Sequence, residues 1–212
     1  MQQIGLLVLL GLLFSLGGTS YSQSETLQQL EPAYTNAIDG TLRRIDVPIL
    51  MYHYVSDPPP DADTIRQELS VSPDRFRSHL QALIDAGYSA ISLYDLYYAL
   101  MQGRPLPVRP VVLTFDDGHI DHYSVVYPML REFDLIGTFF IITGRADQND
   151  PAHLSWAQIR EMAASGMSME AHSKTHSDLR NRDFDFLVYE ILGSLESLST
   201  HTGRPAAMFA YP

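Results

Sequence analysis

The sequence predicts an α/β fold with a parallel sheet, and three observations lead there. Short apolar runs without polar alternation recur along the chain, as strands covered on both faces require. Each is followed by a segment with helix start and stop signals. Strand starts near 111, 137, 167 and 207 give one β/α unit per roughly 25–40 residues. A closed (β/α) barrel and an open doubly wound sheet both fit this rhythm. In both, ligands gather at the carboxyl ends of the strands.

The elements follow in order. "MQQIGLLVLLGLLFSLGGTSYSQ" opens the chain with an apolar stretch from Ile4 to about Gly18. That is short for a membrane span, which needs roughly 20 residues, and it suits the apolar core of a secretory signal. Ser20 and Ser22 supply small residues before a cleavage point at Gln23, although no Lys or Arg precedes the apolar run. Residues 1–22 are therefore expected to be a signal peptide, with an uncleaved anchor as the alternative; the protein is expected to be exported, secreted or held at the cell envelope. Membrane contact is expected only through this segment. Residues 23–45 read as a polar tether, and 46–212 as the folded domain.

Within that domain, "VPILMYHYV" (Val47–Val55) reads as a buried strand, and Pro58 to Pro60 enforce a loop after it. Ser72 caps a helix with Pro73 at its first position, and Gly87 ends it. Ser89–Ile91 is a short extended piece, and Ser92 caps the helix "LYDLYYALM". Val111–Phe115 is apolar and β-branched, a strand buried on both faces. A helix is expected over Ser124–Phe133, a strand over Gly137–Thr143, and a helix from the capping box "SWAQ" to Gly166. "MSMEA" reads as a strand reaching Ala171, a long helix runs from about Phe184 to Thr202, and "AMFAYP" is the next strand.

Composition narrows the function. The chain has 212 residues, is 45% hydrophobic and carries a formal net charge of −11. A sizeable core can form. The negative charge argues against nucleic acid and anionic membrane surfaces as partners. There is no Cys, so neither a disulfide nor a lipid on Cys is available.

Two polar clusters stand at strand ends. In "VVLTFDDGH" the apolar run stops at Asp116-Asp117-Gly118. Asp-Gly alone marks a turn, yet no second hairpin strand follows. Adjacent carboxylates repel, so the pair is costly unless a cation lies between them. In "EAHSKTHSD", His172 and His176 are four apart; on a helical turn this places both imidazoles on one face, within reach of one metal ion. Two solvated histidines are the alternative for that pair taken alone. Both clusters, however, follow strands and would meet at one rim. Two His and one Asp leave coordination positions open, as a catalytic metal requires.

"TFDDG" followed by "HSKTH" resembles the NodB-type polysaccharide deacetylases, carbohydrate esterase family 4. "ILMYHYV", "YPMLREFDLIGTFFI" and "FAYP" extend the resemblance over about residues 47–212. The resemblance implies a distorted (β/α) barrel and removal of N-acetyl, sometimes O-acetyl, groups from extracellular sugars. It assigns Asp116 as general base and Asp117, His172 and His176 as ligands of a divalent metal, zinc first, with cobalt or nickel in some relatives. Ser173 and Thr175 would hydrogen-bond around the ligands. The partner it implies is an N-acetylated glycan. His53, at the end of the first strand, is a candidate for facing the sugar cleft, with a hydrogen-bonded structural role as the alternative. Tyr211 and Pro212, in the third motif, are candidate substrate contacts. That motif departs from the family's Arg-x-Pro-Tyr pattern, because Ala210 stands at the Arg position. The last strands and a proton-donating His are expected beyond Pro212, so the barrel is expected to be incomplete. His119 and His122 are expected in a solvated loop, with reaching the cleft as the alternative, Trp156 in packing or sugar stacking, and "DFDF" at a helix start.

Overall fold

The computed structural model describes residues 40–212. The expected leader and most of the expected tether lie outside the described residues. Among the described residues five parallel strands build the sheet: β1 (Ile49–Tyr52), β2 (Ser89–Ala90), β3 (Pro110–Phe115), β4 (Thr138–Ile141) and β5 (Ser168–Ala171). They run in the order β1-β3-β4-β5, while β2 pairs with the first two residues of β3. The register sets Tyr52 opposite Phe115, Phe115 opposite Phe139, and Phe139 opposite Met169. This is the α/β architecture expected, present as an open parallel arc among the described residues.

The helices are α1 (Thr64–Glu68), α2 (Pro73–Asp85), α3 (Leu93–Gln102), α4 (Tyr127–Glu132), α5 (Thr143–Asp147), α6 (Trp156–Ala164), α7 (Phe184–Leu187) and α8 (Gly193–Thr202). Their starts follow the side-chain capping that the sequence indicates. Ser72 accepts from Arg75 N, and Ser92 and Ser155 each complete a reciprocal capping box, with Asp95 and Gln158 respectively. Asp183 caps α7, so "DFDF" is a helix start. The short helices α1 and α5 were not expected. Among the described residues no helix is long and apolar enough to cross a membrane.

Alternation along β3 and β4 divides the core. Val111, Leu113, Phe115, Phe139 and Ile141 join the main cluster, under the helices. Val112 and Phe140 join a second cluster with Ile91, Leu96 and Met208. Phe115 organises the main cluster: Phe139 stacks at 4.7 Å between centroids, Tyr52 at 5.5 Å, and Phe76 meets its edge at 5.9 Å. With period two, Asp116 and His172 continue the face that carries Val112 and Glu170, just past the ends of β3 and β5.

Several expectations need correction. Val47–Val55 is neither so long nor so buried: β1 has four residues, and Met51 is exposed because β1 lies at the edge of the arc. "AMFAYP" forms one bridge, Ala171 to Phe209, rather than a strand. The helix expected from Ser124 and the one from Phe184 to Thr202 both contain a π-helical turn, at His122–Val126 and Val188–Leu192. His119 and His122 are buried rather than solvated, because hydrogen bonds tie the segment after Gly118 to the segment that follows β1.

Candidate metal centre

Asp116 and Asp117 leave β3 where its pairing runs out. Asp116 N still donates to the Tyr52 carbonyl at 2.9 Å. Asp117 and Gly118 then both take left-handed backbone, with φ of 74° and 72°. Asp tolerates this conformation better than most side chains. The turn reverses the chain and lifts the Asp117 carboxylate over the sheet end.

His172 continues β5, its N–H donating to the Ile141 carbonyl at 3.0 Å. The chain does not go on as a helical turn, contrary to the expectation for His-x-x-x-His. Ser173 and His176 have φ of 62° and 61°, and the segment between them is an irregular loop. The Ser173 hydroxyl accepts from His176 N at 2.9 Å and closes the loop. Helical spacing is thus replaced by a tight loop that turns both imidazoles toward Asp117.

One ligand atom from each of Asp117, His172 and His176 lies within 4.8 Å of the others. His172 Nε2 and His176 Nε2 stand 3.2 and 3.1 Å from Asp117 Oδ1. That oxygen is buried and accepts no hydrogen bond. The tautomer of His172 explains why the arrangement suits a cation. Its Nδ1 lies 3.0 Å from the Ala210 carbonyl, which can only accept. In neutral His172 the proton is therefore on Nδ1, and the Nε2 lone pair faces a carboxylate oxygen. Two acceptors in contact need a positive charge between them. A divalent ion held by one carboxylate and two imidazoles meets that need and keeps open positions.

The electrostatics agree. Burial works to raise the Asp117 carboxyl, but the imidazoles of His119, His172 and His176 outweigh it and hold the group far below the usual carboxylate range. Burial works against protonating His172, yet the Asp117 and Asp116 carboxylates lift it above the ordinary histidine value. A proton and a divalent cation are thus alternative occupants of the same space.

Asp116 lies beside this group without joining it. It is 6% exposed, and its Oδ1 has no hydrogen-bond partner. Burial raises its carboxyl above the usual range, against the pull of the His172 and His53 rings, and Asp117 adds to the rise. His53 Nε2 stands 3.9 Å from Asp116 Oδ2. Tyr211 and Pro212 are exposed and follow Ala210, whose carbonyl holds His172. Trp156 stacks on His201 at 3.9 Å and donates to Asp147 at 3.0 Å, a packing role.

Sequence reasoning missed several members of the site. His119 Nε2 reaches Asp117 Oδ2 at 3.2 Å, while its ring stacks on Tyr54 at 3.8 Å. Asp121 Oδ2 accepts from Val55 N at 3.0 Å and from the Ser56 hydroxyl at 2.7 Å. His122 Nε2 donates to the His53 carbonyl at 2.6 Å. Together these bonds hold the "MYHYVS" segment, and His53 with it, against the segment after Gly118. The only signal in the sequence was the crowding of "DDGHIDH".

Comparison with known proteins identifies the family. The family described as polysaccharide deacetylase matches residues 103–212. YxkH of Bacillus subtilis, a candidate polysaccharide deacetylase, is 32% identical over 178 residues, covering 84% of this chain and 60% of its own length. The poly-beta-1,6-N-acetyl-D-glucosamine N-deacetylase of Staphylococcus aureus is 31% identical over 115 residues, 53% of this chain and 39% of its own length. Among solved structures, the Streptococcus pyogenes deacetylase PplD in complex with acetate superposes with a TM-score of 0.71 at 33% identity, covering 77% of this chain and 72% of that one. The open parallel arc is thus part of a NodB-type (β/α) barrel, and this chain belongs to the polysaccharide deacetylase family.

Proposed function

We propose that this protein is a metal-dependent hydrolase that removes N-acetyl groups from an extracellular polysaccharide containing N-acetylglucosamine. The observation that carries the reading is the convergence of Asp117, His172 and His176 on one point, with the unligated carboxylate of Asp116 beside them. Asp117, His172 and His176 would hold the ion, and two imidazoles with one carboxylate suit zinc first, with cobalt or nickel accepted by the same donors. A bound divalent ion supplies positive charge that activates water and polarises the acetyl carbonyl.

The chain's own residues supply the rest. Asp116 takes a proton from the attacking water as its oxygen adds to the carbonyl carbon. The C–N bond then breaks as that proton passes to the nitrogen, and acetate and a free amine leave. His53, next to Asp116 and fixed through the backbone by His122, is placed to keep that carboxylate aimed, where the family commonly has an Arg and this chain has Ala210. In this reading His53, Tyr211 and Pro212 would contact the sugar. The staphylococcal relative's name specifies poly-N-acetylglucosamine, and the streptococcal structure holds acetate, a product of such a reaction. The leader-like N-terminus supports export to where such glycans lie.

The test is acetate release from N-acetylglucosamine oligomers. Wild type should release acetate, and Asp116→Asn should lose turnover by orders of magnitude while retaining the metal. Normal hydrolysis by Asp116→Asn would remove Asp116 from the reaction. Binding of oligomers without acetate release by wild type would make the protein a glycan binder.

A further inference from the structure

Glu190 is fully buried, and no step of the proposed hydrolysis uses it. It sits within the π-helical turn Val188–Leu192, between α7 and α8. A buried carboxylate is costly unless its oxygens are satisfied. Those of Glu190 are satisfied entirely by the loop between the two histidines. Oε2 accepts from Lys174 N and Thr175 N, both at 2.9 Å, and Oε1 accepts from the Thr175 hydroxyl at 2.6 Å.

That loop needs outside support. It carries non-glycine residues in left-handed backbone at both Ser173 and His176, a conformation that persists only where surroundings impose it. Ser173 closes it from inside. Further constraints come from elsewhere in the chain: the Ser173 and Lys174 carbonyls accept from Thr143 N at 3.3 Å and Gly144 N at 2.8 Å, the Lys174 ammonium meets Asp147 at 2.9 Å and Ser197 at 3.2 Å, and Glu190 gathers the loop's N–H groups. π-helical turns recur at functional sites because they shift the register of the residues they contain. Here the turn presents Glu190 to the loop.

We infer that Glu190 is a positioning residue for the metal centre, fixing the separation of His172 and His176 and their aim at Asp117 by bonding the backbone between them. The inference rests on the proposed metal-binding reading. Its role is distinct from contact with the ion, since every bond it makes is to Lys174 or Thr175. The conservative variant follows from the same pattern. A glutamine at this position keeps one acceptor for both N–H groups, and its amide can donate to the Thr175 hydroxyl, which already exchanges a bond with the Ser177 hydroxyl at 2.7 Å.

The experiment uses the full chain loaded with cobalt(II), whose visible absorption reports coordination geometry and whose affinity is read by chelator competition. Glu190→Ala should bind cobalt about 10- to 100-fold more weakly, as loss of partners that orient ligands does, with an altered spectrum. Glu190→Gln should restore affinity and spectrum. Leu198→Ala, a core truncation on α8, should lower Tm without changing either. Wild-type affinity and spectrum in Glu190→Ala would overturn the inference, as would an equal loss in Leu198→Ala. If Glu190→Ala does not fold, Thr175→Val decides. It removes the hydroxyl bond to Oε1, and about 10-fold weaker binding supports the inference, while wild-type binding overturns it. Failure of wild type to bind cobalt would sink the metal reading itself; binding by wild type with unchanged variants would sink only the role of Glu190.

Discussion

Replacing Gly144 with alanine tests how tightly the histidine loop is held against α5. A Cβ on Gly144 would lie 2.4 Å from the Lys174 carbonyl oxygen, which is backbone and cannot swing aside. Carbon and oxygen rest at about 3.3 Å, so the two segments must part by roughly 0.9 Å. That movement breaks the bond from Gly144 N to the Lys174 carbonyl, now 2.8 Å. Overpacking costs about 1–3 kcal/mol, and the hydrogen bond is worth about 1 kcal/mol. Alanine recovers about 1 kcal/mol over glycine within a helix. The net loss is about 1–3 kcal/mol, which for a chain of this size lowers Tm by roughly 2–12 °C. Because Lys174 lies between His172 and His176, metal affinity should fall in the same variant. Thermal unfolding followed by circular dichroism, with and without excess divalent ion, measures both. An unchanged Tm with unchanged metal stabilisation would refute the close approach and the coupling of loop to site.

Other perturbations have equally defined outcomes. Burial pulls the His122 imidazole from the ordinary 6.5 down to about 4, so it stays neutral in the folded protein where the unfolded chain would protonate it. Its contribution is therefore fully present above pH 6.5 and lost as pH falls through about 4. Urea unfolding across that window should show stability declining with acid, and His122→Gln should flatten the slope; an identical slope in the variant would contradict the assignment. Asp121→Ala strands the buried Val55 N–H and takes an acceptor from the Ser56 hydroxyl; it should cost about 1–3 kcal/mol, with reduced turnover because the segment carrying His53 keeps only the bond from His122, and wild-type stability in urea would count against it. Phe115→Ala removes the ring at the centre of the main cluster and should cost about 3–5 kcal/mol in the same assay.

Much of this was legible in the chain because its local rules agree with its tertiary structure. β3 and β4 are apolar without alternation, and only a strand covered on both faces tolerates that. Ser72, Ser92 and Ser155 mark helix starts by chemistry that acts within four residues. The site was legible for a related reason: in parallel α/β folds, polar clusters that follow strands share one rim. What was not legible depends on partners distant in sequence. Nothing near His172 indicates that the Ala210 carbonyl sets its tautomer. Nothing near "HSKTH" indicates that the loop abandons helical geometry and leans on Glu190. The π-helical turns escaped notice because their residues have ordinary helical periodicity, and only the bonds they serve select the extra residue. His119 and His122 looked solvated because three acids in "DDGHIDH" suggest a polar surface, whereas two of them, Asp117 and Asp121, are the partners that draw the segment inward.

The central claim is that one carboxylate and two imidazoles grip a divalent cation beside a free acid. Its most direct test is metal stoichiometry of the full chain, stripped with chelator, reloaded with zinc and analysed by mass spectrometry of the eluted metal. The account predicts one ion per chain in wild type and in Asp116→Asn, and none in Asp117→Ala. Wild type that retains no ion, or Asp117→Ala that holds zinc as firmly as wild type, would contradict it.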